Sequence, residues 1–167
     1  MPETGLEALK VLIVDDNPHM RALLRALLTS LGTRTLYEAP DGQSGLMIFR
    51  EKKCDLILCD LSMKPMDGLA FTREVRGSAN PYVPIVMVSG YTEKHRVVAA
   101  RDAGVTEFLA KPVTPQSLYS RIAEIVERPR PFIRCPTYFG PDRRRKQAEN
   151  YAGPWRRQSD LQDLEVR

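Results

Sequence analysis

The chain predicts an α/β fold whose parallel sheet is covered by helices on both faces, and three observations carry that expectation. Between Lys10 and Arg128 a short aliphatic run is followed by a longer stretch with helical spacing, and this unit occurs five times. The first, third and fourth runs are almost wholly apolar, as strands buried on both faces should be. The intervening stretches are bounded by Gly, Pro, Asp or Thr, the residues that start and stop helices.

The aliphatic runs Val11–Val14, Leu56–Cys59 and Ile85–Val88 read as central strands. Thr33–Tyr37 is mixed in polarity and suits a strand nearer an edge, and Glu107–Ala110 completes the set. A first helix is expected over Pro18–Leu31, with Leu23, Leu24, Leu27, Leu28 and Leu31 on one stripe and Gly32 ending it. Further helices are expected over Gly42–Lys53, Gly68–Arg76, Glu93–Ala103 and Pro115–Arg128, where Pro115 suits a first helical turn.

At 167 residues, with 43% hydrophobic and 28% charged positions, the chain accommodates one ordinary domain and an appendage. Residues 1–8 read as an N-terminal extension, 9–128 as the domain and 129–167 as a tail. No apolar run is long enough to span a membrane and Met1–Lys10 has no apolar core, so a cytoplasmic protein without membrane insertion is expected. Cys54, Cys59 and Cys135 are odd in number and lack a C-x-x-C pair, which argues against a disulfide framework or a zinc site. His19 and His95 stand alone, and no G-x-G-x-x-G occurs, so a dinucleotide fold is disfavoured.

In an open parallel sheet, ligands bind beyond the carboxyl ends of the strands. The residues that follow the runs are Asp15, Asp16, Asp60, Ser89 and Lys111, which brings three carboxylates, a hydroxyl and an ammonium from four strands to one end. Clustered carboxylates repel one another, and a hard divalent cation such as Mg²⁺ relieves that repulsion. With Asp60 as nucleophile and Lys111 and Ser89 as partners for phosphoryl oxygens, the set suits phosphoryl transfer. Asp15-Asp16-Asn17-Pro18 also reads as a helix N-cap, which would account for one acidic residue but not for three.

These residues resemble the receiver domain of bacterial response regulators, of the chemotaxis-regulator type, over about residues 9–128. The resemblance lies in V-L-I-V-D-D at 11–16, D-L-I-L-C-D-L-S-M at 55–63, M-D-G at 66–68, I-V-M-V-S-G at 85–90 and E-F-L-A-K-P at 107–112. It implies a flavodoxin-like, doubly wound sheet of order 2-1-3-4-5. Asp60 would be the phosphoacceptor, and Mg²⁺ would be held by Asp15, Asp16, Asp60 and the backbone carbonyl of Ser62. Ser89 and Phe108 would be the switch pair, Lys111 the phosphate partner, and Lys111-Pro112 a cis bond. The implied partners are a histidine kinase or phosphotransfer protein, a downstream protein target and a second copy of the chain. Two departures stand out: Met63-Lys64-Pro65-Met66 in the loop after Asp60, and Tyr91, expected to screen the acyl phosphate from water.

After Arg128 the aliphatic periodicity ends, and Pro129, Pro131, Pro136, Pro141 and Pro154 arrive with clustered arginines. Residues 129–167 hold nine Lys/Arg against five Asp/Glu, whereas residues 1–128 are balanced, so all the excess charge is in the tail. An irregular or partly disordered segment is expected there. It carries Y-x-G-P-x-R-R twice, as Tyr138 to Arg143-Arg144 and as Tyr151 through Trp155 to Arg156-Arg157. Such a duplicated basic and aromatic unit suits binding to a protein partner or back onto the domain, and less readily to nucleic acid.

The function expected is a response regulator acting on itself only, accepting phosphate at Asp60 and then changing what it binds. The alternatives are control of DNA or RNA through the basic tail, a phosphate sink, and an aspartyl-nucleophile phosphatase. The last usually has a second Asp where this chain has Ser62.

Overall fold

The computed structural model describes residues 5–90 and 93–143. Strands β1 (Lys10–Val14), β2 (Thr35–Ala39), β3 (Leu56–Asp60), β4 (Ile85–Ser89) and β5 (Glu107–Ala110) form a parallel sheet of order β2-β1-β3-β4-β5. Helices α1 (Pro18–Ser30), α2 (Gly42–Lys52), α3 (Gly68–Arg76), α4 (Lys94–Ala103) and α5 (Pro115–Glu127) make the crossovers. This is the doubly wound, flavodoxin-like arrangement expected from the sequence.

The alternation of side chains along each strand divides the core in two. Leu12, Val14, Ile57, Cys59, Ile85 and Met87 pack with Leu46 and Phe49 of α2, Phe71 and Val75 of α3 and Ala100 of α4. Val11, Ile13, Leu56, Leu58, Val86 and Val88 pack with Leu24 and Leu28 of α1 and Leu118 and Ile122 of α5. Leu6, in a short 3-10 turn over Leu6–Ala8, is buried in this second cluster, so the segment before β1 contributes to the core.

Four helices start on a side-chain cap that satisfies otherwise orphaned backbone N–H groups. Asn17 accepts from His19 and Met20, Asp41 from Ser44, and Asp67 from Ala70. Thr114 and Ser117 form a reciprocal capping box behind Pro115. Helix α4 begins after Glu93 with no such bond. Strand β2 starts two residues later than the sequence suggests, because the Thr33 N–H bonds the Leu28 carbonyl and closes the end of α1.

The tail departs from expectation. Residues 132–141, expected to be irregular, form an antiparallel hairpin of β6 (Phe132–Cys135) and β7 (Tyr138–Pro141). The Tyr138 hydroxyl donates to the Pro141 carbonyl at 2.7 Å, and the Asp142 N–H donates to the Pro131 carbonyl at 2.8 Å. The hairpin sits on the body of the domain at the amino ends of β4 and β5, where Tyr82, Phe132 and Phe139 form an edge-packed aromatic trio with centroids 5.3 to 5.7 Å apart. Isolated two-stranded hairpins are marginal in water, and this one is supported by the surface beneath it.

Candidate functional site

At the carboxyl end of the sheet the ends of β1 and β3 place oxygen atoms of Asp15, Asp16 and Asp60 within 4.8 Å of one another. Asp15 and Asp60 are buried, while Asp16 faces solvent. From the end of β5, Lys111 Nζ lies 3.3 Å from Asp60 Oδ1 and 3.7 Å from Asp15 Oδ2. The N-cap reading of this stretch falls to Asn17, whose side chain caps α1. Asp15 instead accepts from the Asn17 N–H through Oδ1 at 2.8 Å, and its Oδ2 is buried without a hydrogen-bond partner.

Burial pushes the Asp60 carboxyl above the ordinary aspartate range; the Asp15 charge adds to this and Lys111 opposes it. Burial likewise raises Asp15, against the pull of the Asn17 N–H and Lys111. One ammonium is thus shared by two buried carboxylates with a third nearby. An orphaned carboxylate oxygen within a set of hard oxygen donors fits a divalent cation.

The loop after Asp60 is fixed by a close backbone approach. A Cβ on Gly68 would lie 2.4 Å from the Asp60 carbonyl and 2.8 Å from Met87 Sδ, so only glycine lets α3 start here. The Gly68 N–H donates to the Leu61 carbonyl at 2.9 Å. Ser62 is exposed in this loop, and both Lys64-Pro65 and Lys111-Pro112 are cis. Ser89 is buried at the end of β4, and its carbonyl accepts from the Lys111 N–H. Phe108 is half-buried against the cluster containing Met87, its neighbour across the sheet. Tyr91 lies outside the described residues.

A family model described as the response regulator receiver domain matches residues 11–123. The chain belongs to the response regulator receiver family. It is 34% identical over 121 residues to the chemotaxis protein CheY of Pseudomonas aeruginosa, covering 72% of this chain and 98% of that protein. Among solved structures it is similar to Vibrio cholerae CheY4, with TM-score 0.67, 28% identity, and coverage of 70% and 98% of the two chains. A putative response regulator from Chloroflexus aurantiacus gives TM-score 0.68 at 28% identity, covering 72% and 98%. This is a receiver of two-component, phosphorylation-dependent signalling. No helix among the described residues is long and apolar enough to cross a membrane.

A second cluster of buried charged residues lies at the opposite end of the sheet, and most of its residues carried no signal in the sequence. Arg76, at the end of α3, is 7% exposed. It donates from Nε to the Gly104 carbonyl at 2.9 Å and from Nη1 to the Pro81 and Val83 carbonyls at 2.8 and 2.6 Å. Its guanidinium lies 4.9 Å from the centroid of the Phe132 ring, and burial lowers its pKa to about 10. Glu107, 3% exposed at the start of β5, is hydrogen-bonded by Arg130 of the segment leading into the hairpin.

Of the tail motif, Tyr138 and Arg143 are described, whereas Arg144, Tyr151, Trp155, Arg156 and Arg157 lie outside the described residues. Arg143 reaches Asp102 of α4 at 2.8 Å and lies 4.6 Å from the centroid of Tyr138. A Cβ on Gly140 would come 2.6 Å from the Tyr138 hydroxyl and 2.9 Å from the Gly104 Cα. The first copy of the motif therefore supplies strand β7 and the residues that meet the end of α4.

Proposed function

We propose that Asp60 is the phosphoacceptor of this receiver, taking its phosphoryl group from a histidine kinase or phosphotransfer protein. The observation that carries this reading is the meeting of Asp60 with Asp15, Asp16 and Lys111 at one end of the sheet, two carboxylates being buried around a single ammonium. Asp60 attacks the donor phosphorus, the new P–O bond replaces the donor's P–N bond, and the departing imidazole takes up a proton. Lys111 pairs with a phosphoryl oxygen, releasing its hold on Asp15 and Asp60. The Ser89 hydroxyl, at the end of β4, donates to a second oxygen, and Phe108 turns with it.

Asp15, Asp16, Asp60 and the Ser62 carbonyl would hold Mg²⁺. When bound, the ion supplies positive charge against the carboxylates and the phosphoryl oxygens. Tyr91 borders the same strand end in sequence and screens the acyl phosphate from water. The receiver acts on its own phosphoryl group only, in the cytoplasm, and its output is altered binding to a protein target or to a second copy. A role in nucleic-acid binding draws no support from the described part of the tail. Arg134 covers Phe139 at 4.5 Å from the ring centroid, and Arg143 is engaged with Asp102 and Tyr138.

Intact-mass measurement after incubation with acetyl phosphate and Mg²⁺ tests the reading. One phosphoryl group is expected on the wild type and none on Asp60→Ala or in the absence of Mg²⁺. Unchanged wild-type mass under conditions that preserve acyl phosphates would exclude it.

A further inference from the structure

We propose that the Phe132–Pro141 hairpin is a strap that holds α4 in the position seen here and that phosphorylation of Asp60 moves α4 away from it, so that hairpin docking and phosphorylation oppose each other. This rests on the reading of Asp60 given above and adds the tail to the switch.

Helix α4 packs on α3 and β5 through small side chains. Its buried residues are Ala100 and Ala103, which offer little apolar area, and its amino end lacks a side-chain cap. A hollow of about 320 Å³ separates its first turns, at His95 and Arg96, from Ser62 and Asp67 in the loop after Asp60. The amino end of α4 thus borders the phosphorylation site and has room to move.

The other end of α4 is gripped. Arg143 holds Asp102 at 2.8 Å, and the backbone at Gly140 approaches Gly104 so closely that no Cβ fits between them. The Gly104 carbonyl also accepts from Arg76, whose guanidinium is covered by Phe132. Arg130 extends the hold to Glu107 at the start of β5. Towards α5 the hairpin instead faces a hollow of about 300 Å³ edged by Ile125 and Arg128. Its grip is therefore on α3, α4 and β5.

The two ends of α4 are joined by a rigid rod. A phosphoryl oxygen that draws in the Ser89 hydroxyl pulls at the end of β4, the strand that α4 follows in sequence. The hollow gives room for that movement, while the closely packed contact of Gly104 with Gly140 does not adapt continuously. Moving α4 costs the strap its contacts, and an intact strap holds back the movement. By reciprocity, weakening the strap must strengthen phosphoryl binding by the same factor that phosphoryl binding weakens the strap.

The test uses the full chain with beryllofluoride and Mg²⁺ as the phosphoryl analogue, followed by titration calorimetry. Arg143→Ala and Phe139→Ala are expected to bind it about two- to fivefold more tightly than the wild type, the range of one exposed ion pair or a partial loss of docking. In the wild type, which needs no substitution, beryllofluoride should speed amide exchange over residues 132–141 and leave α5 unchanged. Equal or weaker binding by both variants, or undiminished protection of the hairpin, overturns the strap. A wild type that gains neither phosphoryl mass nor beryllofluoride overturns the reading of Asp60 and the antagonism together. Normal phosphorylation with unaltered variants overturns the strap alone.

Discussion

Helices α4 and α5 flank the same edge strand, β5, but are attached to the protein by different means. Helix α5 starts on a capping box and buries Leu118 and Ile122 in the core shared with α1. Helix α4 has no side-chain cap, buries two alanines against the domain, and is held in addition by a hairpin that comes after α5 in sequence. One helix is set by a broad amphipathic face; the other packs on α3 and β5 with little apolar area and is held as well by what later chain lays against it. In a phosphorylation switch the first kind of attachment gives a fixed frame, while the second gives an element whose position another contact can bias.

The largest expected difference between the two is in stability. Leu118→Ala should cost about 3 kcal/mol by urea unfolding, through lost transfer free energy and a residual cavity. Val98→Ala on the half-buried face of α4 should cost less than about 1 kcal/mol. Comparable losses at both sites would break the contrast.

Arg76→Ala comes next, at about 2 kcal/mol, because it leaves the Gly104 and Val83 carbonyls buried without their donor. Arg76→Lys should recover only part of that, since an ammonium cannot serve three carbonyls and cover Phe132 in one plane. Amide exchange in such variants should rise first in the hairpin and at the end of α4, and last in α5.

A smaller effect is expected at the acidic end. Burial raises the folded-state pKa of Asp60 and Asp15, so the folded protein binds more protons than the unfolded chain between the ordinary aspartate value of 3.8 and the raised values. Their contribution therefore opposes folding above the raised values, and the penalty is relieved as pH falls through them. Without divalent cations, Asp60→Asn should raise the Tm at neutral pH by a few degrees, with the gain shrinking towards pH 4. Added Mg²⁺ should reduce or reverse the gain, since it stabilises the wild type through its carboxylates. A Tm for Asp60→Asn at or below the wild type at neutral pH, without metal, would show that the cluster carries no such penalty.

The acidic site was legible because each of its residues directly follows an aliphatic run, and strand ends in a parallel sheet converge whatever lies between them. Asp15, Asp16, Asp60, Ser89 and Lys111 could be assigned to one end before any contact was known, and the structure brings them there. The cap of α1 was less legible: Asp15, Asp16 and Asn17 are all capable, and only the backbone geometry gives the role to Asn17. The hairpin was not legible as structure. Its strands are four residues each and bounded by prolines, and Tyr82, Arg76, Asp102 and Gly104, which receive it, lie far away in sequence.

The sequence by itself determined the parallel sheet, its helices and the gathering of acidic residues with a lysine at one end, because periodic burial and strand-end placement are local patterns repeated along the chain. Tertiary structure alone decided that the segment after α5 returns to the domain and grips α4. That choice depends on a buried guanidinium, an aromatic trio and two glycines in backbone contact, none of which exists until distant parts of the chain have met.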